Sequence, residues 1–289
     1  MEEKVRLITP SSKITDKKLR NARRFVKKLG YEVTFSEAVK EDYLDFAGRP
    51  ETRIEDINSA LQDNSEILWC IRGGYGSIQI LEEIEYDKIK QGKKIIGYSN
   101  PTLLLNAISS RTGIITFHGP MPYKEMKEYD KMTIESVKQA LKAEDYSWKF
   151  DDKNVFVSGK TSGRVIAGNL NLFNESLGTA YEYDTDGKII FLEQNNPKGQ
   201  RIYDLLEQLR LAGKFEKAKG VILGNFNFDE NKQYLKDFFK DFDIPVLYRM
   251  DFGHKEPNLT FPIGANCILD TDKGRLKFGL KEHMKSGTR

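Results

Sequence analysis

Short apolar runs alternating with helix-period segments constrain this chain more than any other feature it carries. Val5-Arg6-Leu7-Ile8 has the composition of a strand and stops at Pro10-Ser11-Ser12. The spacing of Leu19, Ala22, Phe25 and Val26 then predicts a helix over 16–29, ended by Gly30. Residues 31–34 read as a second strand, and Ile54, Ile57 and Leu61 as the buried edge of a helix. Residues 67–71 and 94–97 read as buried strands, followed by a helix over 101–110 and a strand over 114–117. Parallel strands joined through helices need right-handed crossovers, which yield a sheet covered on both faces. The expectation is an α/β fold whose N-terminal domain, residues 1–135, is a doubly wound, flavodoxin-like, mostly parallel sheet.

Beyond Tyr123 the pattern turns polar, with turn signals at Lys153-Asn154 and Ser158-Gly159-Lys160, so 136–162 is expected to be a linker. Residues 163–289 are expected to form a second, smaller α/β domain. Strand-like runs recur at 163–168, 189–192, 221–224, 245–247 and 267–269, and Ile202, Leu205, Leu206 and Leu209 mark a helix. A chain of 289 residues accommodates two such units.

Charge and composition exclude several functions. Lys and Arg total 46 against 43 Asp and Glu, a net +3 without the concentrated basic excess that nucleic acids demand. Runs such as Lys124-Glu125-Met126-Lys127-Glu128 read as solvated faces. The longest apolar run, residues 67–71, is far below the roughly 18 residues of a membrane span. The opening Met1-Glu2-Glu3-Lys4-Val5 does not look like a signal peptide, so a cytoplasmic location is expected. Two cysteines, Cys70 and Cys267, support neither a disulfide framework nor a thiolate metal site, and the histidines have no metal-ligand spacing. We expect no metal, no cofactor, no nucleic acid and no membrane, but a small-molecule or peptide substrate; a homodimer is left open.

The segment richest in chemistry is Gly97-Tyr98-Ser99-Asn100-Pro101, where an apolar strand runs straight into a helix. Such a strand–turn–helix elbow presents a serine hydroxyl at the tip of a sheet, although Pro101 stands where the usual elbow has glycine. The helix N-terminus beside Ser99 offers backbone N–H groups to a developing oxyanion; the plainer alternative is that Ser99 or Asn100 simply caps the helix. A serine nucleophile needs a base, and the histidines are His118, His254 and His283. His283 lies in a charged tail and is expected to be exposed and idle, whereas His118 and His254 both remain candidates. Arg72-Gly73-Gly74-Tyr75-Gly76 follows the strand ending at Ile71, where open α/β sheets place ligands. Its glycines allow close backbone approach to a substrate. Glu193 closes the run Phe191-Leu192-Glu193 and by sequence alone reads as an ordinary strand-end acid.

Together, Arg72-Gly73-Gly74-Tyr75-Gly76, Gly97-Tyr98-Ser99 and Thr116-Phe117-His118-Gly119-Pro120-Met121 resemble the LD-carboxypeptidases, a serine-peptidase group that also holds the microcin C immunity peptidases. The likeness continues through Gly168-Asn169-Leu170, Phe191-Leu192-Glu193 and the long stretch from Gly253-His254 to Ile263-Gly264. It implies a Ser-Glu-His triad of Ser99 as nucleophile, His254 as base and Glu193 as orienting acid. It further implies an oxyanion hole from the backbone N–H groups of Gly74 and Asn100. Members commonly carry aspartate after the serine, where this chain has Asn100. The implied activity is release of a terminal D-alanine from muropeptide tetrapeptides in peptidoglycan recycling. The alternative is hydrolysis of a peptidyl- or aminoacyl-nucleotide amide. On this reading His118 is structural and does not reach Ser99.

Overall fold

The computed structural model describes residues 3–195 and 198–280, so His283 lies outside the described residues. The N-terminal half follows the expected alternation: β1 (Lys4–Ile8), α1 (Asp16–Lys28), β2 (Glu32–Thr34), α2 (Pro50–Gln62), β3 (Ile67–Cys70), β4 (Lys94–Gly97), α3 (Thr102–Thr112) and β5 (Thr116–His118). The Thr15 hydroxyl caps α1, whose Leu19, Ala22, Phe25 and Val26 are buried, and Pro50 occupies the first turn of α2, where no N–H is needed. All four residues of β3 are buried, as a strand covered on both faces requires.

After α4 (Lys131–Leu141) come β6 (Tyr146–Lys149), β7 (Val155–Val157), β8 (Lys160–Asn169), α5 (Leu170–Ser176), β9 (Lys188–Glu193), α6 (Gly199–Leu211), β10 (Gly220–Leu223), α7 (Phe228–Phe239), β11 (Val246–Leu247), β12 (Phe261–Ile263), β13 (Asn266–Asp270) and β14 (Arg275–Gly279). The first sheet has the order β12-β5-β4-β3-β1-β2. Its five N-terminal strands are parallel in the doubly wound 2-1-3-4-5 arrangement, with ligand sites expected at their carboxyl ends. The second sheet runs β6-β14-β13-β8-β9-β10-β11-β7, with a parallel centre of β8 to β11 and antiparallel strands at both flanks. It has eight strands against six in the first sheet, so it is the wider of the two.

The segment 136–162 is not structureless: it holds the end of α4 and the strands β6 and β7, which form both edges of the second sheet. In β6, buried Tyr146 and Trp148 alternate with Ser147 and the exposed Lys149, the mark of a half-buried edge strand that reads as polar. The strand β12 crosses back from the C-terminal half to pair antiparallel with β5, matching Phe261 with His118 and Ile263 with Thr116. Pro262 is accommodated because β12 lies at the sheet edge. Between the sheets lies α3, buried from Thr102 to Ser109 and packed on β4, β5 and β8. Asn106 fixes it there by donating to the carbonyls of Thr102 (2.8 Å) and Ala167 (2.6 Å). Among the described residues no helix is long and apolar enough to cross a membrane, and Cys70 and Cys267 are buried free thiols.

Candidate active site

The carboxyl ends of β3 and β4 supply one wall of the site. Gly97 closes β4 where a side chain would meet Cys70, its Cβ standing 2.9 Å from that of the cysteine. Ser99 then adopts φ +60, a left-handed conformation rare for residues with a side chain, which turns the chain sharply out of the sheet and into α3. Neither Ser99 nor Asn100 caps that helix with its side chain; Pro101 holds the cap position. Instead Ser99 Oγ lies 3.1 Å from His254 Nε2, and Asn100 Oδ1 accepts the Ser77 N–H at 2.9 Å. The latter bond ties the elbow to the glycine-rich loop. It requires only an acceptor oxygen, which asparagine and aspartate share.

The loop after β3 is pinned to face Ser99. Ser12 N–H donates to the Gly73 carbonyl and Tyr75 N–H to Ser12 Oγ, both at 3.1 Å. Gly74 has φ +101, and a Cβ there would stand 2.2 Å from Ser12 Oγ, so only glycine fits. A Cβ on Gly73 would come within 3.0 Å of Ser99 Oγ, which shows how closely the loop backbone approaches the hydroxyl. Among the described residues, neither the Gly74 nor the Asn100 N–H donates to a protein acceptor.

The second sheet supplies the opposite wall. Glu193 closes β9, is fully buried, and accepts from His254 Nδ1 at 2.7 Å. Its other oxygen accepts the Asn169 side-chain N–H at 3.1 Å, while Asn169 Oδ1 caps α5 by accepting the Asn171 N–H. Gly253, at φ +98, lets the histidine loop pass close to this carboxylate; a Cβ there would lie 2.8 Å from Glu193 Oε2. Burial works against charge on His254, but the adjacent Glu193 carboxylate outweighs it and raises the imidazole pKa above the ordinary 6.5. Burial likewise pushes the Glu193 carboxyl up. Its interaction with His254 and the bond from Asn169 reverse that and leave it below the usual carboxylate range.

His118 takes no part in this relay. It is buried on β5, stacked on Phe261 at 4.8 Å between ring centroids, and burial lowers its pKa to about 4, so it is neutral at pH 7. The structure therefore brings Ser99, His254 and Glu193 together in one hydrogen-bonded chain, with Gly74 and Asn100 beside it. Tyr98 packs against the His254 ring at 5.0 Å. Asn169 and Ser12 carry positioning roles that the sequence left unassigned, although Asn169 lies in the Gly168-Asn169-Leu170 stretch of the family likeness and asparagine at a strand end ahead of a helix is a recognisable cap signal. A cleft of ≈410 Å³ opens over Ser99, lined among others by Arg72, Gly74, Asn171, Glu175 and His254. A neutral histidine facing a serine hydroxyl, and held by a buried carboxylate, can activate that hydroxyl for attack on a carbonyl.

Residues 5–119 match the model of the LD-carboxypeptidase N-terminal domain, and residues 162–269 that of the LD-carboxypeptidase C-terminal domain. A probable murein peptide carboxypeptidase of Bacillus subtilis is 31% identical over 282 residues, covering 92% of this chain and 88% of that protein. The microcin C7 self-immunity protein MccF of Escherichia coli is 29% identical over 290 residues, covering 86% and 84%. The solved structure of muramoyltetrapeptide carboxypeptidase from Oxalobacter formigenes aligns with a TM-score of 0.86 at 25% identity, over 96% of this chain and 98% of that one. The elbow and the glycine-rich loop fall in the first matched segment, and Glu193 and His254 in the second. Since both segments match in order and across most of the chain, this protein belongs to the LD-carboxypeptidase family.

Proposed function

We propose that the protein is a serine-type carboxypeptidase that removes a terminal D-alanine from muropeptide tetrapeptides, acting in the cytoplasm on recycled cell-wall fragments. The observation that carries this reading is the unbroken relay from Ser99 Oγ through His254 to Glu193, with bonds of 3.1 and 2.7 Å. In the first step His254 Nε2 takes the hydroxyl proton as Ser99 Oγ bonds to the scissile carbonyl carbon. The oxyanion is held by the Gly74 and Asn100 N–H groups, each such donor contributing about 3–4 kcal/mol to the transition state. His254 then returns the proton to the amide nitrogen, the C–N bond breaks, and the D-amino acid leaves. A water attacks the acyl-enzyme with the same base, which finally reprotonates Ser99. Glu193 keeps Nδ1 protonated throughout and stabilises the imidazolium.

A carboxypeptidase must also bind its substrate's free carboxylate, and Arg72 lines the cleft with no ion pair to another described residue. The similarity to MccF supports a second reading, hydrolysis of a peptidyl- or aminoacyl-nucleotide amide. The deciding experiment offers the enzyme a tetrapeptide ending in D-alanine, its C-terminal amide, its L-alanine diastereomer and an aminoacyl-sulfamoyl adenosine, with products identified by mass. We expect amidation to lower kcat/KM by roughly tenfold to a thousandfold, and the L-residue to hurt comparably. Equal rates on the three peptides would overturn the carboxypeptidase assignment.

A further inference from the structure

Among the described residues only one lysine and one arginine are buried, and they are held differently. Lys93 has the Asp63 carboxylate at 3.0 Å, whereas Arg53, on α2 and 2% exposed, makes no ion pair. Its guanidinium binds backbone instead. Nη1 donates to the Gly76 carbonyl at 2.9 Å and to the Pro10 carbonyl at 3.0 Å, and Nη2 donates to Gln79 Oε1. Nε has no partner, and the Phe46 ring packs 5.3 Å from the guanidinium carbon. So close an approach is possible because residue 76 has no side chain: a Cβ there would stand 2.7 Å from Nη1. Burial disfavours the charge and lowers the guanidinium pKa, and the bonds to carbonyls offset part of that penalty.

The two carbonyls belong to the two segments that place the Gly74 N–H. Gly76 closes the glycine-rich loop, two residues after Gly74. Pro10 opens the turn after β1, whose Ser12 donates its N–H to the Gly73 carbonyl and accepts from the Tyr75 N–H. The neighbouring Ser11 Oγ meets Ser77 Oγ at 2.8 Å, and the Ser77 N–H reaches Asn100 Oδ1 at the elbow. A single nitrogen of Arg53 thus ties the loop after β1 to the loop after β3. A planar guanidinium does this in fixed directions that a rotating ammonium does not impose. We propose that Arg53 is a positioning residue of the oxyanion hole: by binding these two loops together, it holds the Gly74 N–H where the oxygen of the tetrahedral intermediate develops. Arg53 does not line the cleft, so it acts only through the backbone it fixes. This inference rests on the serine-peptidase chemistry proposed above and names a residue that sets its geometry.

The test compares the wild type with Arg53→Gln and Arg53→Lys, using the tetrapeptide ending in D-alanine, the tripeptide that its cleavage leaves, and the aldehyde of that tripeptide. Ser99 Oγ adds to the aldehyde carbon, and the hemiacetal oxygen occupies the oxyanion hole. The aldehyde therefore reports on the hole, and the tripeptide on the rest of the cleft. Misplacement by about an ångström costs about two decades, so Arg53→Gln should lose about a hundredfold in kcat and a comparable factor in aldehyde affinity. KM and tripeptide affinity should stay within about twofold of wild type. The ammonium of Arg53→Lys stops about a bond length short of Nη1, and that variant should lose about tenfold. Wild-type kcat in either folded variant, or KM and tripeptide affinity worsening as far as kcat, would overturn the role of Arg53 and leave the serine peptidase standing. Failure of both variants to fold, read by circular dichroism, would assign Arg53 to the fold alone and overturn it equally. A wild type that cleaves no tetrapeptide and binds the aldehyde no more tightly than the tripeptide would overturn the serine-peptidase reading, and this inference with it.

Discussion

Replacing Glu193 by glutamine should damage the enzyme more than removing its side chain altogether. The reason lies in the second oxygen of the carboxylate. Asn169 donates its side-chain N–H to Glu193 Oε1 at 3.1 Å, while Oε2 accepts from His254 Nδ1 at 2.7 Å. A glutamine in this place keeps its oxygen toward the Asn169 donor and turns its NH2 toward His254. Nδ1 must then act as acceptor, which puts the imidazole proton on Nε2, facing Ser99 Oγ, where it cannot take the hydroxyl proton. Enforcing the wrong tautomer costs on the order of 10⁴ in kcat in a comparable triad. Glu193→Ala loses the charge-assisted hydrogen bond and the carboxylate's stabilisation of the imidazolium, but it enforces no wrong tautomer, because it leaves room for water to accept from Nδ1, so its loss in kcat should be the smaller of the two. The assay is release of free D-alanine from a tetrapeptide, with circular dichroism to confirm that both variants are folded. A Glu193→Gln enzyme more active than Glu193→Ala would refute the tautomer argument.

Because His254 acts as a base when neutral, and Glu193 raises its pKa, kcat/KM should fall with decreasing pH through a limb lying above 6.5. Glu193→Ala, lacking the carboxylate that favours the imidazolium, should move that limb to lower pH; a pH–rate profile of both proteins checks this. Ser99→Ala and Ser99→Gly should both be inactive, but the glycine variant should be more stable by about 1 kcal/mol, because it relieves the φ +60 strain at that position. Denaturant unfolding measures the difference, and equal stabilities would argue against strain at the elbow. Gly74→Ala must push its new Cβ away from Ser12 Oγ, 2.2 Å off, displacing the loop N–H. It should lower kcat by roughly 10²–10³ with a smaller effect on KM, measurable by steady-state kinetics.

Much of the fold was legible because buried parallel strands are nearly continuous apolar runs: β3, β4, β9 and β10 lie where composition put them. The strands that escaped notice are edge or half-covered ones. In β14, buried Leu276 and Phe278 alternate with exposed Arg275 and Lys277, and β12 contains a proline. Such segments pair only because a neighbouring edge is present, which local composition does not encode. At the site, the elbow was visible as strand, glycine and serine. The choice of His254 over His118 came from family resemblance, since only the three-dimensional path shows one histidine facing Ser99 and the other stacked in the core. Glu193 looked like any strand-end acid until the His254 loop folded over it.

The return of β12 to the first sheet makes the histidine loop a brace. At one end Met250 N–H is bonded to the Leu223 carbonyl, and the Phe252 carbonyl to Asn225 N–H, each at 3.0 Å, which anchors the loop on the second sheet. At the other end it runs into β12, which is laced to β5, itself the neighbour of the strand that delivers Ser99. Any movement of one half against the other that keeps both sheets intact therefore has to be taken up in the loops on either side of β12, the first of which carries His254. A fragment ending near residue 120 would carry the nucleophile on a sheet whose β5 edge is bare, an open template for aggregation, so the halves of this enzyme are not exchangeable modules.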